Sequence, residues 1–381
     1  MNGDTLKILL AGMVAGDPWQ GGATTAVLQY VEGLRRLGHE VLVVEAVESA
    51  ALRPDGPVVT YFASLAPLAG RAALLARGGT ETLGLSYREI ERFAREADLL
   101  LNVSGMLRDE RLLEPIGVRA FLDLDPGFNQ VWAAEGFDFG LDRHTHCVSV
   151  GTRIGESDCA VPTLGRSWIP ILPPVTPASW PPADGAGRAW TTVGNWRSYG
   201  SPTHEGLRYG QRAHSMRELI ELPRRSGARF EMALGIHPDE RDDLAALEEN
   251  GWSLVDPLAV AATPSAYARF VRGSRAELGI AKQGYVASRG GWFSDRSAAY
   301  LASGRPVVAQ DTGFGAALPT GAGLLAFDDV ASAAAAIESV EGDLDRHRRA
   351  AREIAVEYLD AARVLPLLLE RLAVPEREVA R

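Results

Sequence analysis

The sequence contains very little lysine and cysteine. Only Lys7 and Lys282 are lysine among 39 basic residues, and the only cysteines are Cys147 and Cys159. Two cysteines without paired C-x-x-C spacing argue against structural zinc and indicate a reducing compartment. The alternative is a single disulfide between them. The excess of arginine has two interpretations: a GC-rich genome of the actinobacterial type, or arginine chosen to bind phosphate.

Long apolar runs and a positive net charge are also lacking. No segment has the roughly eighteen uninterrupted apolar residues that a membrane span requires. The first residues, MNGDTLKILLAGMVAG, contain only a short apolar run without a basic leader, which predicts a strand and not a signal peptide. The net charge of -10 argues against non-specific nucleic-acid binding. We therefore expect a cytoplasmic monomer or homodimer without a membrane span.

The length and composition are those of a two-domain globular protein. The chain has 381 residues, of which 46% are hydrophobic and 23% charged. Short apolar runs alternate with helical patterns, as in KILLAG, then a helix that ends at Gly38, then EVLVVEA. Because a strand, a helix and a strand in this order form a right-handed crossover, the pattern predicts parallel sheets.

A proline-rich segment divides this alternation into two halves. PILPPVTPASWPP cannot continue a helix or lie in a central strand, so we interpret 170–186 as a hinge. The predicted organisation is a first doubly wound, Rossmann-like domain over 1–175 and a second over 187–360. Residues 361–381 form a helical C-terminal segment.

In such sheets, ligands bind at the carboxyl ends of the strands. The first loop at this edge, GDPWQGGATT, contains Asp17 and, near a helix start, Gly21, Gly22 and Thr24. The glycines permit close approach of a ligand, and the helix start favours an anion; a simple tight turn is the alternative. The loop matches neither G-x-G-x-x-G nor a P-loop, and Glu45 is a weak ribose-binding acid, which disfavours a nicotinamide dehydrogenase.

The second loop, LDLDPGF, contains two carboxylates. Asp123 and Asp125 lie two apart, so in an extended strand they project to the same side. They are compatible with a general base in the cleft, with a metal clamp, or with a turn that ends a strand.

A long polar loop follows the first strand of the second half. Arg197, Arg208 and Arg212 are candidates to bind phosphate, and Trp196 or Tyr199, beyond Asn195, is the candidate to cover a base or sugar. Long loops inside compact domains are usually functional, which favours a ligand-binding role.

The stretch SRGGWFSDRSAAYLASGRPVVAQDTGF has the most distinctive pattern of glycines, helix-capping residues and charged residues. Gly290 and Gly291 permit positive φ, Ser294 is a predicted N-cap, and Asp295 falls in the first helical turn. A diphosphate could accept hydrogen bonds from the free N–H groups at this helix start. Two arginines lie beside this helix start, and an acidic glycine-containing loop follows the next strand. These residues are Arg289, Arg296, Asp311, Thr312 and Gly313.

The sequence resembles the GT-B glycosyltransferases, particularly the group 1, family 4-like type. The first half resembles the family's glycine pair followed by L-x-x-x-G-H-E-V, here Gly21, Gly22, Leu34 and 37–41. The second half resembles A-x-G-x-P-V-V-A, here 302–309. The resemblance covers nearly the whole chain and implies two facing domains, with the C-terminal helix crossing back to the first. It implies sugar transfer from a nucleotide-diphosphate sugar, with UDP or dTDP as the nucleotide.

The family normally requires no metal or other cofactor, and its acceptor lies against the first domain. This chain departs from the family at two acidic positions, since Ala299 stands where a donor-gripping glutamate is usual and Gly291 where another acid is common. Asp295, one helical turn before Ala299, is the expected substitute.

An inverting transfer needs a base near the acceptor hydroxyl. Asp17 and Asp125 are the first candidates for this base, with His146 behind them. The sugar and the acceptor are not identified by the sequence. The alternatives are a nucleotide-sugar epimerase or hydrolase of the same fold, and a non-catalytic nucleotide-sugar-binding protein.

Overall fold

The computed structural model describes residues 5–374, and their architecture is built on two parallel sheets. The first sheet has eight strands, of which only the edge strand β4 is antiparallel to its neighbour, in the spatial order β4-β3-β2-β1-β5-β6-β7-β8. They are β1 (Lys7–Ala11), β2 (Glu40–Val47), β3 (Ala72–Ala76), β4 (Thr82–Gly84), β5 (Leu99–Val103), β6 (Val118–Asp123), β7 (His146–Ser149) and β8 (Trp168–Pro170).

Helices lie on both faces of this sheet. Because both faces are covered, the central strands are continuous apolar runs; Ile8, Leu9 and Leu10 of β1 are all fully buried. The helices are α1 (Gly21–Arg36), α2 (Pro57–Ser64), α3 (Tyr87–Glu96), α4 (Glu110–Leu113) and α5 (Phe128–Ala134), with 3-10 turns at Ser49–Leu52, Ala66–Leu68 and Leu141–Arg143.

The second sheet has six parallel strands in the spatial order β13-β12-β9-β14-β15-β16, and a small separate hairpin, β10-β11, follows β9. The strands of this half are β9 (Trp190–Asn195), β10 (Thr203–His204), β11 (Leu207–Arg208), β12 (Phe230–Gly235), β13 (Ser253–Leu254), β14 (Ala276–Gly279), β15 (Val307–Gln310) and β16 (Leu324–Phe327).

The helices of the second half cover both faces of its sheet and continue to the end of the described chain. They are α6 (Arg212–Glu218), α7 (Leu222–Ser226), α8 (Arg241–Glu249), α9 (Pro257–Ala261), α10 (Pro264–Gly273), α11 (Gln283–Ser288), α12 (Asp295–Ala302), α13 (Val330–Gly342), α14 (Leu344–Ile354) and α15 (Ala361–Arg371), with 3-10 turns at Pro177–Ser179 and Phe314–Ala316 and a π-helical turn at Ala355–Leu359.

The last helix crosses from the second half back to the first. Ala361 and Leu365 of α15 are buried in the same hydrophobic core as β1 and α1. Gly33 permits this approach, since a side chain there would overlap both residues. The proline-rich segment runs beside the crossing, where the Val175 N–H donates to the Leu359 carbonyl at 2.8 Å.

The prediction of two doubly wound α/β halves with a returning C-terminal helix is confirmed. The second sheet is formed by the six runs that the alternation predicts as strands: WTTVGN, RFEMALG, WSLVDP, RAELGIA, PVVAQ and GLLAF. In the first sheet β3, β4 and β8 were missed. β8 ends at Pro170, which an edge strand tolerates because its outer N–H groups are unpaired. The exact domain limits stay a prediction. Residues 1–4 of the predicted first domain and residues 375–381 of the predicted terminal segment lie outside the described residues.

Candidate functional site

A cavity of about 930 Å³ lies between the carboxyl ends of the two sheets. Its first-half wall comes from the β1–α1 connection and the ends of β5 and β6, and its second-half wall from the ends of β9, β12, β13 and β14 and the start of α12. Parallel sheets bind ligands at this edge, so the topology places the cavity where a substrate site is expected. Among the polar residues that line it are Ser104, Asp125, Asn129, Asn195, Arg212, Asp256, Lys282, Ser294, Asp295 and Arg296.

The β1–α1 loop is held by a buried carboxylate. Glu45 accepts hydrogen bonds from the backbone N–H groups of Val14, Ala15 and Gly16 at 2.7–2.9 Å. Burial raises the pKa of the Glu45 carboxyl, and the three N–H donors oppose the shift. Glu45 therefore orders the loop at the cavity rim and does not line the cavity.

The predicted residues of this loop separate into two groups. Gly21 and Gly22 line the cavity, and a side chain on Gly21 would overlap the backbone of Thr263, so the glycine permits contact between the halves. Thr24 lies beneath the loop, where its hydroxyl bonds the Val14 carbonyl at 3.0 Å. Asp17 is exposed on the loop and is not part of the cavity lining.

His146 is placed away from the cavity. It is the first residue of β7, so it lies at the amino end of a strand whose carboxyl end faces the cleft. Its ring bonds the neighbouring Thr145 hydroxyl at 2.8 Å. His146 therefore lies apart from the cavity lining, and its role as a candidate base stays a prediction.

Asp123 and Asp125 do not project to the same side. β6 ends at Asp123, whose fully buried carboxylate accepts from Asn129, Gln130 and Ser149 at 2.7 Å. Burial raises the pKa of Asp123, and these donors oppose the shift. Since the chain turns after Asp123, only Asp125 faces the cavity. The two carboxylates therefore do not form a metal clamp.

Asp125 joins the two halves across the cavity. Lys282, which follows β14, donates to both of its carboxylate oxygens at 3.1–3.2 Å. The Tyr199 and Tyr285 hydroxyls also donate to it in short hydrogen bonds. The ammonium lies 4.1 Å from the Tyr199 ring centroid and 4.8 Å from that of Phe128. Burial lowers the pKa of Lys282, and the charge of Asp125 opposes this shift.

Arg212 is the most unusual group in the cavity. It is only 7% exposed, and its Nε and Nη1 have no hydrogen-bond partner within residues 5–374. Burial lowers the pKa of its guanidinium to about 9, and the nearby charge of Arg296 adds to the effect. The N–H groups of a buried cation normally have partners, so this arrangement is the expected one for a site that receives an anion.

The start of α12 borders the same space. Ser294 caps the helix by accepting from the Arg296 N–H at 3.1 Å, as predicted. The Arg296 guanidinium pairs with buried Glu277 and donates to the Val193 carbonyl at 3.0 Å. Asp295 is enclosed by protein but exposed where it borders the cavity; burial raises the pKa of its carboxyl, and Arg296 opposes the shift.

The remaining residues of the predicted cradle do not line the cavity. The Gly290 carbonyl accepts from the Arg153 N–H, and the Gly291 carbonyl from the Thr152 hydroxyl, both at 3.0 Å. At Gly291, φ is +74°, and a side chain would overlap Thr152. The double glycine therefore permits contact between the halves. Arg289 and Gly313 also face the first half, whereas Asp311 and Thr312 hydrogen-bond within the second half, to Gly313 and Trp292; none of the four lines the cavity.

In the long loop, Asn195 lines the cavity, but Trp196 and Arg197 do not. Trp196 is buried in the hydrophobic core of the second half, and its indole N–H donates to the Asp243 carboxylate at 2.8 Å. Arg197 pairs with Glu240 at the surface. The indole is therefore a packing residue, and the ion pair a surface contact.

Sequence reasoning missed several lining residues. Lys282 follows β14 directly, so the rule about strand ends could have identified it. Trp292 stacks on Tyr285 with ring centroids 4.2 Å apart, and Trp19 lines the opposite side. Tyr199 is a candidate from the sequence, but nothing in the spacing connects it with Tyr285 and Trp292; all three belong to the second half, and only its folding brings them together at the cavity.

Residues 5–374 contain no group of three or more His, Cys, Asp or Glu that could hold a metal ion. Nor does a helix in this range have the length and apolar character needed to cross a membrane. Cys147 and Cys159 are both free thiols.

No protein-family model and no curated protein matches this chain. Solved structures do. It is similar to an alpha-glucosyltransferase in complex with UDP-glucose and DNA containing an abasic site, at 13% identity and a TM-score of 0.60, over 96% of this chain and 98% of the other.

It is also similar to Alr3699/HepE of Anabaena in complex with UDP and glucose, at 13% identity and a TM-score of 0.57 over 97% and 100% of the two chains. A third is AviGT4, a glycosyltransferase involved in avilamycin A biosynthesis, at 18% identity and a TM-score of 0.56 over 96% and 97%. These likenesses show that the chain has the GT-B fold.

Proposed function

We propose that this protein is a glycosyltransferase that moves a sugar from a UDP-sugar to a small-molecule or glycan acceptor, without a metal ion. The observation that carries the proposal is Arg212, a buried cation with two unpartnered nitrogens in a large cavity between the sheets. A diphosphate supplies the acceptor oxygens that these nitrogens lack. The similar proteins solved with UDP and glucose support the choice of uridine and a hexose.

The donor's phosphates would lie between Arg212 and the start of α12. The free N–H groups at that helix end bring further positive potential to the same region, whereas the charge of Arg296 is balanced by Glu277. This charge stabilises the leaving diphosphate as the bond between its oxygen and the sugar's anomeric carbon breaks. The Arg212 guanidinium then neutralises charge on the leaving diphosphate, so that the transfer requires no divalent cation.

The base and ribose would occupy the adjoining wall at the ends of β12 and β13. Ile236, Leu244 and Leu254 present apolar surface there, beside the Asp256 carboxylate. Asp295 is proposed to contact the ribose or the sugar. Its raised pKa favours a hydrogen bond to a hydroxyl, because a partner that stabilises the charged carboxylate relieves part of the burial cost.

Asp125 is the proposed catalytic base, since it is the first-half carboxylate that lines the cavity. In the transfer, the acceptor oxygen forms the new bond to the anomeric carbon and its proton goes to the carboxylate. Asp125 has a competing structural role, because its oxygens already accept from Lys282 and two tyrosines. A carboxylate has about four lone-pair positions, and all four are taken: two by Lys282 and one by each tyrosine, so the acceptor hydroxyl must displace one of these donors.

Two measurements test the proposal. Titration calorimetry with UDP and dTDP should detect binding to the wild-type chain, and Arg212→Met should weaken it roughly 100-fold. Mass spectrometry of UDP-glucose with a panel of phenolic, sugar and peptide acceptors in EDTA should then detect a glycosylated product. Donor consumption without an acceptor would indicate the hydrolase or epimerase alternative. Absence of nucleotide binding would refute the proposal.

A further inference from the structure

A second cavity of about 640 Å³ opens beside the first, entirely within the first half. It lies at the carboxyl ends of β2, β3 and β5, and Ser104 and Met106 line both cavities. A ligand that occupied the second cavity could therefore reach the first at these two residues. This position is on the opposite side of the site from Arg212 and Arg296, which belong to the second half.

The second cavity combines cationic and aromatic side chains. Arg77, Arg108 and Arg111 line it, together with Phe137 and Phe139, whose ring centroids are 4.8 Å apart. Phe137 is 61% exposed, which is unusual for a large aromatic side chain. Exposed aromatic surface beside several cations is the chemistry that recognises a flat anionic molecule.

The acids near these arginines leave them available. Asp109 is the lining carboxylate; it pairs with Arg111 and accepts from the Tyr87 hydroxyl at 2.7 Å. Glu48 pairs with Arg77 at 2.7 Å, and Asp138 lies 3.8 Å from Arg108. All three arginine side chains remain about half exposed. Each guanidinium has five N–H donors, so one carboxylate does not saturate it.

The wall between the cavities has a constrained backbone. Ser104, although not a glycine, has φ of +49°, and Gly105 follows at +63°. A side chain on Gly105 would overlap the Phe139 carbonyl, so this glycine lets the wall close against the aromatic segment. A left-handed conformation in a residue other than glycine costs about 1 kcal/mol and is concentrated at functional sites.

We propose that the second cavity is the outer part of the acceptor site and that it selects an acceptor with an acidic group next to a flat apolar ring. This inference rests on the proposed glycosyl transfer. The ring packs on Phe137 and Phe139, and the acid binds Arg108 and Arg111. The acceptor hydroxyl then extends past Ser104 into the first cavity, towards Asp125.

The test uses 1-naphthyl phosphate as an anionic aromatic probe and 1-naphthol as its neutral counterpart. Each is titrated calorimetrically into the full chain with UDP present, so that Arg212 is occupied. The variants are Arg108→Gln/Arg111→Gln and Phe137→Ala, and the matched control is Arg349→Gln, an exposed arginine on α14 of the second half. UDP affinity and melting temperature are measured on the same samples.

We expect 1-naphthyl phosphate to bind at least about tenfold more tightly than 1-naphthol, and the double variant to lose that advantage. Phe137→Ala should weaken both compounds, whereas Arg349→Gln should change neither. All variants should bind UDP as the wild type does. Equal affinity of the double variant and wild type for 1-naphthyl phosphate overturns the inference.

The two proposals fail in different ways. If the wild type binds UDP but not 1-naphthyl phosphate at about 1 mM, the assignment of the second cavity is wrong and the transferase proposal is untouched. If the wild type does not bind UDP, the transferase proposal fails, and the acceptor role fails with it.

Discussion

Replacement of Arg212 by methionine should uncouple stability from nucleotide binding. Burial lowers the pKa of this guanidinium to about 9, so it stays charged at pH 7 although the fold disfavours its charge. A depression of this size corresponds to about 5 kcal/mol against the charged form. Methionine is similar in length and carries no charge. The unliganded variant should therefore be as stable as the wild type or more stable, by up to about 4 kcal/mol.

Nucleotide affinity should change in the opposite direction. Two hydrogen bonds from a charged donor contribute about 3 kcal/mol in total, so the variant should bind UDP roughly 100-fold more weakly. At a UDP concentration about 100 times the wild-type dissociation constant, binding stabilises the wild type by about 2.7 kcal/mol. The variant should gain only about 0.4 kcal/mol under the same conditions.

Thermal melting with and without UDP measures both effects on one sample. Arg217→Met is the matched control, since Arg217 lies on the same helix, is half exposed and pairs with Asp243 at 2.8 Å. It should keep the full UDP-induced rise in melting temperature. A rise for Arg212→Met equal to that of the wild type, or an unliganded variant several degrees less stable, would refute the assignment of Arg212 to an anion.

Three further substitutions test other parts of the site. Glu45→Gln should destabilise the fold by about 2 kcal/mol and speed hydrogen exchange of the 14–16 amides, because an N–H₂ group would face backbone donors; Glu40→Gln, at the exposed end of β2, should do neither. Asp295→Asn should raise the melting temperature near pH 7 but not near pH 3. Burial raises the pKa of Asp295, so its ionisation destabilises the fold as the pH rises through that pKa. An equal gain at both pH values would contradict this. Lys282→Met should lower stability by about 3 kcal/mol because Asp125 loses its counter-ion, and adding Asp125→Asn should restore part of the loss; no recovery in a melting experiment would argue against the ion pair.

Local patterns predicted most of the secondary structure. The capping sequence at Ser86 and Glu89 begins α3 as a capping box, and Ser294 caps α12. These signals act over three or four residues, so they are readable from one segment of the chain. β3, the run AALLA, was missed because alanine has weak strand propensity and only its neighbours, β2 and β4, give it hydrogen-bond partners.

Strand order was sufficient to identify the right edge of each sheet, and hence Gly21, Asp125, Asn195, Arg212, Ser294, Asp295 and Arg296 as cavity residues. Strand order was not sufficient to tell which residues of each loop line the cavity and which contact the other half. Gly290 and Gly291 have the spacing of a ligand cradle, but the segment of the first half that occupies their surface lies more than a hundred residues away in the sequence.

The sequence by itself determined the fold: alternating strands and helices, a proline-rich break, and loops with glycines and charges at strand ends. These properties depend on hydrophobic periodicity and local backbone preference, which are short-range. Only the tertiary structure decided which polar groups are buried together. Within residues 5–374, it left two guanidinium nitrogens of Arg212 without a hydrogen-bond partner and enclosed Lys282 between Asp125 and two tyrosines, because burial and charge pairing depend on how distant segments pack against each other.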